Sequence, residues 1–193
     1  MERPSENNPT KKKGFFAKYW WLFLIACIIC VGVYFAAVGI LNFAGSQPDA
    51  FGKDHPIPEG MAYEIPMQEN TPVPAVDSLS KDSYLQLWNG FQGGLYEYSL
   101  YYPALPDGEV YLRCYEATEN IELSASRLRE ASTVEVKDHT GFGWVAQKQM
   151  FTIYEGDWED YYAARIEVWH KNGSTGEETK LLEKTYRVEG WMR

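Results

Sequence analysis

Residues 20–41 carry no charged side chain, and Lys11, Lys12, Lys13 and Lys18 stand just ahead of them. Wound as a helix at about 1.5 Å per residue, such a run reaches about 33 Å, enough to cross a hydrocarbon core of about 30 Å. A buried core helix is the poorer reading of such a run, because residues 22–33 have no polar face to give it an amphipathic period. Export signals have shorter apolar cores, of about 7–15 residues. A retained signal-anchor is therefore expected, although Ala44, Gly45 and Ser46 form a cleavage-like site.

Lys and Arg are held back on the cytoplasmic side of a membrane helix. Four lysines precede the span, whereas Lys53 follows it in the company of Asp49 and Asp54. The expectation is a single-pass protein of the cell membrane with its N-terminus cytoplasmic and its C-terminal domain external or periplasmic. Tyr19, Trp20 and Trp21 supply interfacial rings at the cytoplasmic mouth. Gly32, Ala36 and Gly39 are spaced four and three apart and share one helical face, a spacing that lets two membrane helices approach closely. Cys27 and Cys30 read as ordinary small apolar residues of the span.

Cys114 is the only cysteine after the span, so no disulfide within the outer part is available. Stability must then come from an apolar core, with Cys114 buried in it. From Gly45 onward 25 Asp and Glu face 13 Lys and Arg, a formal charge of −12. A surface so acidic disfavours nucleic acid as a partner.

The chain divides into a cytoplasmic tail (1–18), the transmembrane helix (19–43), a proline-rich stalk (44–80) and an external domain (81–193). Pro48, Pro56, Pro58, Pro66, Pro72 and Pro74 mark the stalk, within which Ile57, Met61, Tyr63, Ile65 and Met67 are spaced so that part of it can lie along the domain. His55, between Asp54 and Pro56, reads as solvated. Beyond residue 80, short alternating runs rich in Tyr, Trp, Val, Ile and Leu predict strands at 84–91, 95–102, 110–115, 133–137, 143–154, 163–170 and 180–188. Residues 124–131 have the composition of a short helix that Ser124 caps. The turn from Asn172 to Gly176 joins the last two strands as a hairpin. The fold class is mainly β: an N-terminal transmembrane helix, then an antiparallel β-sandwich, immunoglobulin-like or fibronectin-like, with one short helix.

Asp157, Tyr161 and Ala163, just ahead of a predicted strand, resemble the Asp-x-x-x-Tyr-x-Cys corner of immunoglobulin-like domains. Ala163 stands in the cysteine position, and Glu159 where a small residue is usual. The resemblance covers about 15 residues and implies a tyrosine whose hydroxyl bonds back to the corner before the strand.

Glu155, Asp157, Glu159 and Asp160 place four carboxylates within six residues, a candidate oxygen-ligand set for calcium without the EF-hand spacing. Otherwise no cofactor is expected. His139 and His170 are not embedded in a His-Glu-x-x-His motif, and neither a Gly-x-Ser-x-Gly elbow nor a phosphate-binding glycine loop occurs, so a non-catalytic protein is expected. Trp144, Trp158, Trp169 and Trp191 exceed what one small core hides; Trp144, Trp158 and Trp169 are the candidate surface patch. The functional expectation is a membrane-anchored sandwich for protein interaction or envelope assembly, with a protein partner or homodimer. The alternative is a carbohydrate- or calcium-dependent ligand-binding domain.

Overall fold

The computed structural model describes residues 15–45, 49–76, 79, 83–137, 139–140 and 143–191; Lys11, Lys12, Lys13, Ser46 and Lys81 lie outside them. Two compact units divide the chain, Met1–Gln47 and Pro48–Arg193. The described residues of the first form one long helix, α1 (Phe15–Gly45). Within it Tyr19–Val38 is long and apolar enough to cross a membrane.

The second unit is mainly β. Its strands are β1 (Tyr84–Asn89), β2 (Leu95–Tyr101), β3 (Ala104–Leu105), β4 (Gly108–Glu116), β5 (Glu122–Leu123), β6 (Val134–Val136), β7 (His139–Thr140), β8 (Trp144–Thr152), β9 (Tyr162–Asn172) and β10 (Glu178–Val188). The helices of this unit are α2 (Phe51–Asp54), a single turn, and α3 (Ala125–Ser132). One sheet has the order β1-β2-β8; the other runs β10-β9-β4, and β4 pairs in turn with β6 and β5. All these pairings are antiparallel. The segment expected to be only a turn between β2 and β4 also contains β3, which pairs with β7.

The alternation visible in the sequence sets which side chains meet between the sheets. Leu85 and Leu87 of β1 and Tyr98 and Leu100 of β2 face Val110, Leu112 and Cys114 of β4 and Ala164, Ile166 and Val168 of β9 in one buried cluster. Burying a side chain of Leu or Val size stabilises by about 1.5–3 kcal/mol. Tyrosine hydroxyls tie the layers together: Tyr98 donates to the Ser132 carbonyl at 2.7 Å and Tyr186 to the Leu85 carbonyl at 3.1 Å.

Between its pairings with β5 and β6, β4 has no strand neighbour on that edge, and α3 lies there. Ser132 Oγ accepts the Leu112 N–H at 2.9 Å, replacing the missing strand carbonyl. Ser124 does not cap α3. Its φ of 52° is left-handed, and its hydroxyl donates to Glu155 Oε2 at 2.8 Å while accepting the Tyr154 N–H.

Much of the proline-rich segment is a strap on the second unit. Glu64 bridges Tyr186 in parallel, exchanging backbone bonds with Thr185 and Arg187, and Met67 bridges Trp88 through Leu87 and Asn89. Thus the edge of each sheet receives one short stitch from the strap, which blunts both as templates for pairing with other chains. Beyond Met67 the strap crosses the outside of the smaller sheet, where the Trp88 indole N–H donates to the Thr71 carbonyl at 2.9 Å. A bulge in β8 gives Lys148 a φ of 48°, and its ammonium reaches the Glu69 carbonyl at 2.8 Å. Trp88, Ser99 and Tyr101 are buried although they sit on the outer side of their sheet: Trp88 bonds to the strap, Ser99 accepts the Lys148 N–H and Tyr101 packs on Trp144. His55 is not solvated: it stacks on Phe51 at 4.3 Å, donates from Nδ1 to the Phe51 carbonyl, and has a side chain 12% exposed.

Candidate interaction surface

The loop from Glu155 to Tyr161 connects β8 to β9, and its carboxylates are directed to different partners. Glu155 accepts from the Ser124 N–H and hydroxyl. Asp157 accepts the N–H of Trp158, and Asp160 Oδ2 accepts the Lys53 N–H at 3.2 Å. Glu159 sits at φ 60° and gives its own N–H to Glu189 Oε2 at 2.6 Å. Among the described residues no group of three or more His, Cys, Asp or Glu is placed to hold a metal ion. The four candidate calcium ligands are neighbours in sequence that do not converge in space.

The corner tyrosine is displaced by one position from the resembling motif. Tyr162, fully buried, donates its hydroxyl to the Glu155 carbonyl at 2.8 Å, while Tyr161 is 40% exposed. The reason is strand parity: β9 begins at Tyr162, and even-numbered positions from there face the core, as Ala164, Ile166 and Val168 do.

The three candidate tryptophans occupy three different surroundings. Trp144 on β8 packs edge-to-face with Tyr84 and Tyr101 at 5.9 and 6.3 Å. Trp169, on the outer side of the larger sheet, lies under the Arg113 guanidinium at 4.4 Å and donates its indole N–H to Glu167 at 2.9 Å. Trp158 alone is strongly exposed, at 55%. On the helix, nothing lies within 4 Å of the position a Gly32 Cβ would take, and Ala36 is exposed; Gly39 is helical, with surroundings outside the described residues.

Around Trp169 the outer side of the larger sheet is a closed lattice of arginines, rings and carboxylates. Arg129 lies over Tyr111 at 4.0 Å and Arg165 over Tyr115 at 5.2 Å. Glu178 binds Arg113 and Arg129 at 2.6 and 2.8 Å, and the Arg129 hydrogen bond leads the effects that hold its pKa down. At Glu167 burial opposes ionisation, but hydrogen bonds from Trp169 and Arg165 outweigh it and the pKa is lowered. These groups satisfy one another.

A second surface is not self-satisfied. Arg187, at the outward end of β10, stacks on Tyr161 at 4.5 Å; its Nε is buried with no hydrogen-bond partner, and it forms no ion pair with a described residue. Its register partner across the sheet is Ala163, which offers no acceptor. The parallel bridge of Glu64 to Tyr186 sets Ile65, 57% exposed, on the same outward side. Trp158 lies against Gly93, where a Cβ would come within 2.8 Å of the indole, and Phe91, in the same turn, is 72% exposed. Sequence reasoning found Trp158 but missed Arg187, Tyr161, Phe91 and Ile65. Arg187 became visible only through the register that pairs it with Ala163.

The three histidines are structural in their bonding. Besides His55, His139 Nε2 contacts the Tyr102 carbonyl at 2.7 Å and His170 Nε2 the Pro106 carbonyl at 2.9 Å. A carbonyl only accepts, so each of these nitrogens carries the proton. Comparison with protein-family models, curated proteins and solved structures finds no match for the chain.

Proposed function

We propose that the chain is a single-pass membrane-anchored protein, its N-terminus cytoplasmic and its β-sandwich external, and that the sandwich acts by non-catalytic protein interaction. The anchoring part is supported by the apolar helix Tyr19–Val38 beside a separate unit with its own core. The interaction part is carried by one observation: a unit that buries or half-buries most of its described rings leaves Phe91, Trp158 and Tyr161 exposed, with Tyr161 stacked under Arg187. Trp, Tyr and Arg are the side chains that most often dominate binding surfaces. A carboxylate-based calcium site has less support, because the loop acids point to separate partners.

Alkaline carbonate extraction and protease protection test the anchoring. The full chain is expected to stay in the membrane pellet, with the sandwich cleavable only from the outer side; release into the supernatant overturns the reading. Phe91→Ser and Trp158→Ser test the surface in the intact protein. Both are expected to abolish chemical crosslinks made by the wild-type chain in membranes while leaving thermal unfolding unchanged, and unaltered crosslinking counts against this surface.

A further inference from the structure

The strip around Arg187 holds a cation and a carboxylate whose side chains form no hydrogen bond or ion pair among the described residues. Arg187 has a ring beneath it, its Nε has no acceptor, and Glu189 is the acid whose charge acts on it from nearby. Glu159, two residues before Tyr161, is exposed, and no hydrogen bond or ion pair engages its carboxylate among the described residues. Glu189, the neighbouring acid, is already turned to the Glu159 N–H. Trp158 and Tyr161, exposed by 55% and 40%, stand on either side of Glu159 in the chain, and Tyr161 carries Arg187 on its ring.

We infer that this strip is a two-fold interface between copies of the chain, in which Arg187 of one copy receives the Glu159 carboxylate of the other and the reverse contact forms at the same time. A patch carrying both signs is complementary to itself under a two-fold axis, which makes the contact isologous and closes the assembly at a dimer. Trp158 and Tyr161 supply the apolar surface that excludes water from the two ion pairs, and desolvated pairs gain more than exposed ones. A lipid surface is the poorer occupant, since Asp157, Glu159 and Asp160 adjoin Trp158 and repel anionic headgroups. Two chains anchored in one membrane meet at high effective concentration, so a modest contact is enough. This inference rests on the interaction reading above and names its partner.

The test uses the fragment 48–193, a compact unit with its own core and no disulfide to form. Sedimentation equilibrium of the fragment is expected to show a monomer–dimer equilibrium with Kd below about 1 mM, the effective concentration a short tether supplies. Arg187→Glu and Glu159→Arg are each expected to weaken it by about tenfold or more. The double variant R187E/E159R restores the pairing with signs exchanged and is expected to recover the wild-type constant, which a loss of folding would not. A fragment monomeric throughout this range, reversals without effect, or a double variant no better than the singles overturns the inference. So does a monomeric fragment that binds phosphatidylcholine vesicles in a Trp158-dependent way. A monomeric fragment whose full chain still forms crosslinks that Phe91→Ser and Trp158→Ser abolish overturns the dimer and keeps the interaction reading, so the two failures are separable.

Discussion

Ser132 shows how much one side chain at the end of a short helix can hold. Its hydroxyl accepts the Leu112 N–H and donates to the Leu128 carbonyl, and its own carbonyl receives the Tyr98 hydroxyl from the opposite sheet. Ser132→Ala leaves a buried strand N–H without an acceptor and is expected to lower unfolding free energy by about 2 kcal/mol in urea titration. Two carboxyls set opposite pH dependences. Burial raises the pKa of Glu189, so the folded chain holds that proton more tightly than the unfolded one and stability falls as pH rises through the folded value. Glu189→Gln is therefore expected to raise the melting temperature at pH 8 and to leave it unchanged at pH 3. At Glu178 the Arg129 bond lowers the pKa, so its contribution is present above the ordinary carboxylate range and is lost as pH falls through the folded value. Glu178→Gln is expected to destabilise at pH 7 by about 1 kcal/mol, the scale of a partly exposed ion pair, and to flatten the acid limb of the stability curve. Burial also pushes the Cys114 thiol up; a thiol reagent applied to the native fragment 48–193 is expected to react only after denaturant is added.

Among the elements, the strap changes the most from what its composition implies. Six prolines within residues 48–74 read as an extended stalk; Pro48 lies outside the described residues, and from α2 to Thr71 the segment lies against the sandwich rather than free of it. Proline lacks the N–H that a strand interior needs, so the segment touches each sheet edge only where Glu64 and Met67 supply one. In β2 the rings lie on both faces: Tyr96 and Tyr98 enter the core, and Tyr101 packs on Trp144 on the outside. A fragment beginning at residue 81 lacks Phe51, Glu64, Met67 and Thr71. It is expected to unfold at a lower denaturant concentration than 48–193 and to aggregate, through the exposed edges of β1 and β10; equal midpoints for the two fragments contradict this role.

For the whole molecule, the two units have unrelated physical requirements, and each was legible to a different degree. An uncharged segment of membrane length is a property of composition and length alone, so α1 could be read directly. Strand positions and the Asn172–Gly176 hairpin followed from alternation and turn chemistry, because those signals are local: Asn172 Oδ1 caps its own turn by accepting the Ser174 and Thr175 N–H groups. The proposed interaction surface was mostly illegible, since it depends on which residues face each other across a sheet. Calcium illustrates the same point. Four acids in six residues look like a ligand set, yet the left-handed turn at Glu159 and the separate bonds of Glu155 and Asp160 send them apart. Calcium added to the fragment is accordingly expected to leave its melting temperature unchanged, as a thermal shift assay would record. By itself the sequence determined the apolar span, the β class and the short helix α3, because period and composition act over a few residues. Tertiary structure alone decided that Tyr162 rather than Tyr161 makes the corner, that the proline segment straps the sheets, and that Arg187 pairs in register with an alanine and stacks on Tyr161, because register brings together residues far apart in the chain.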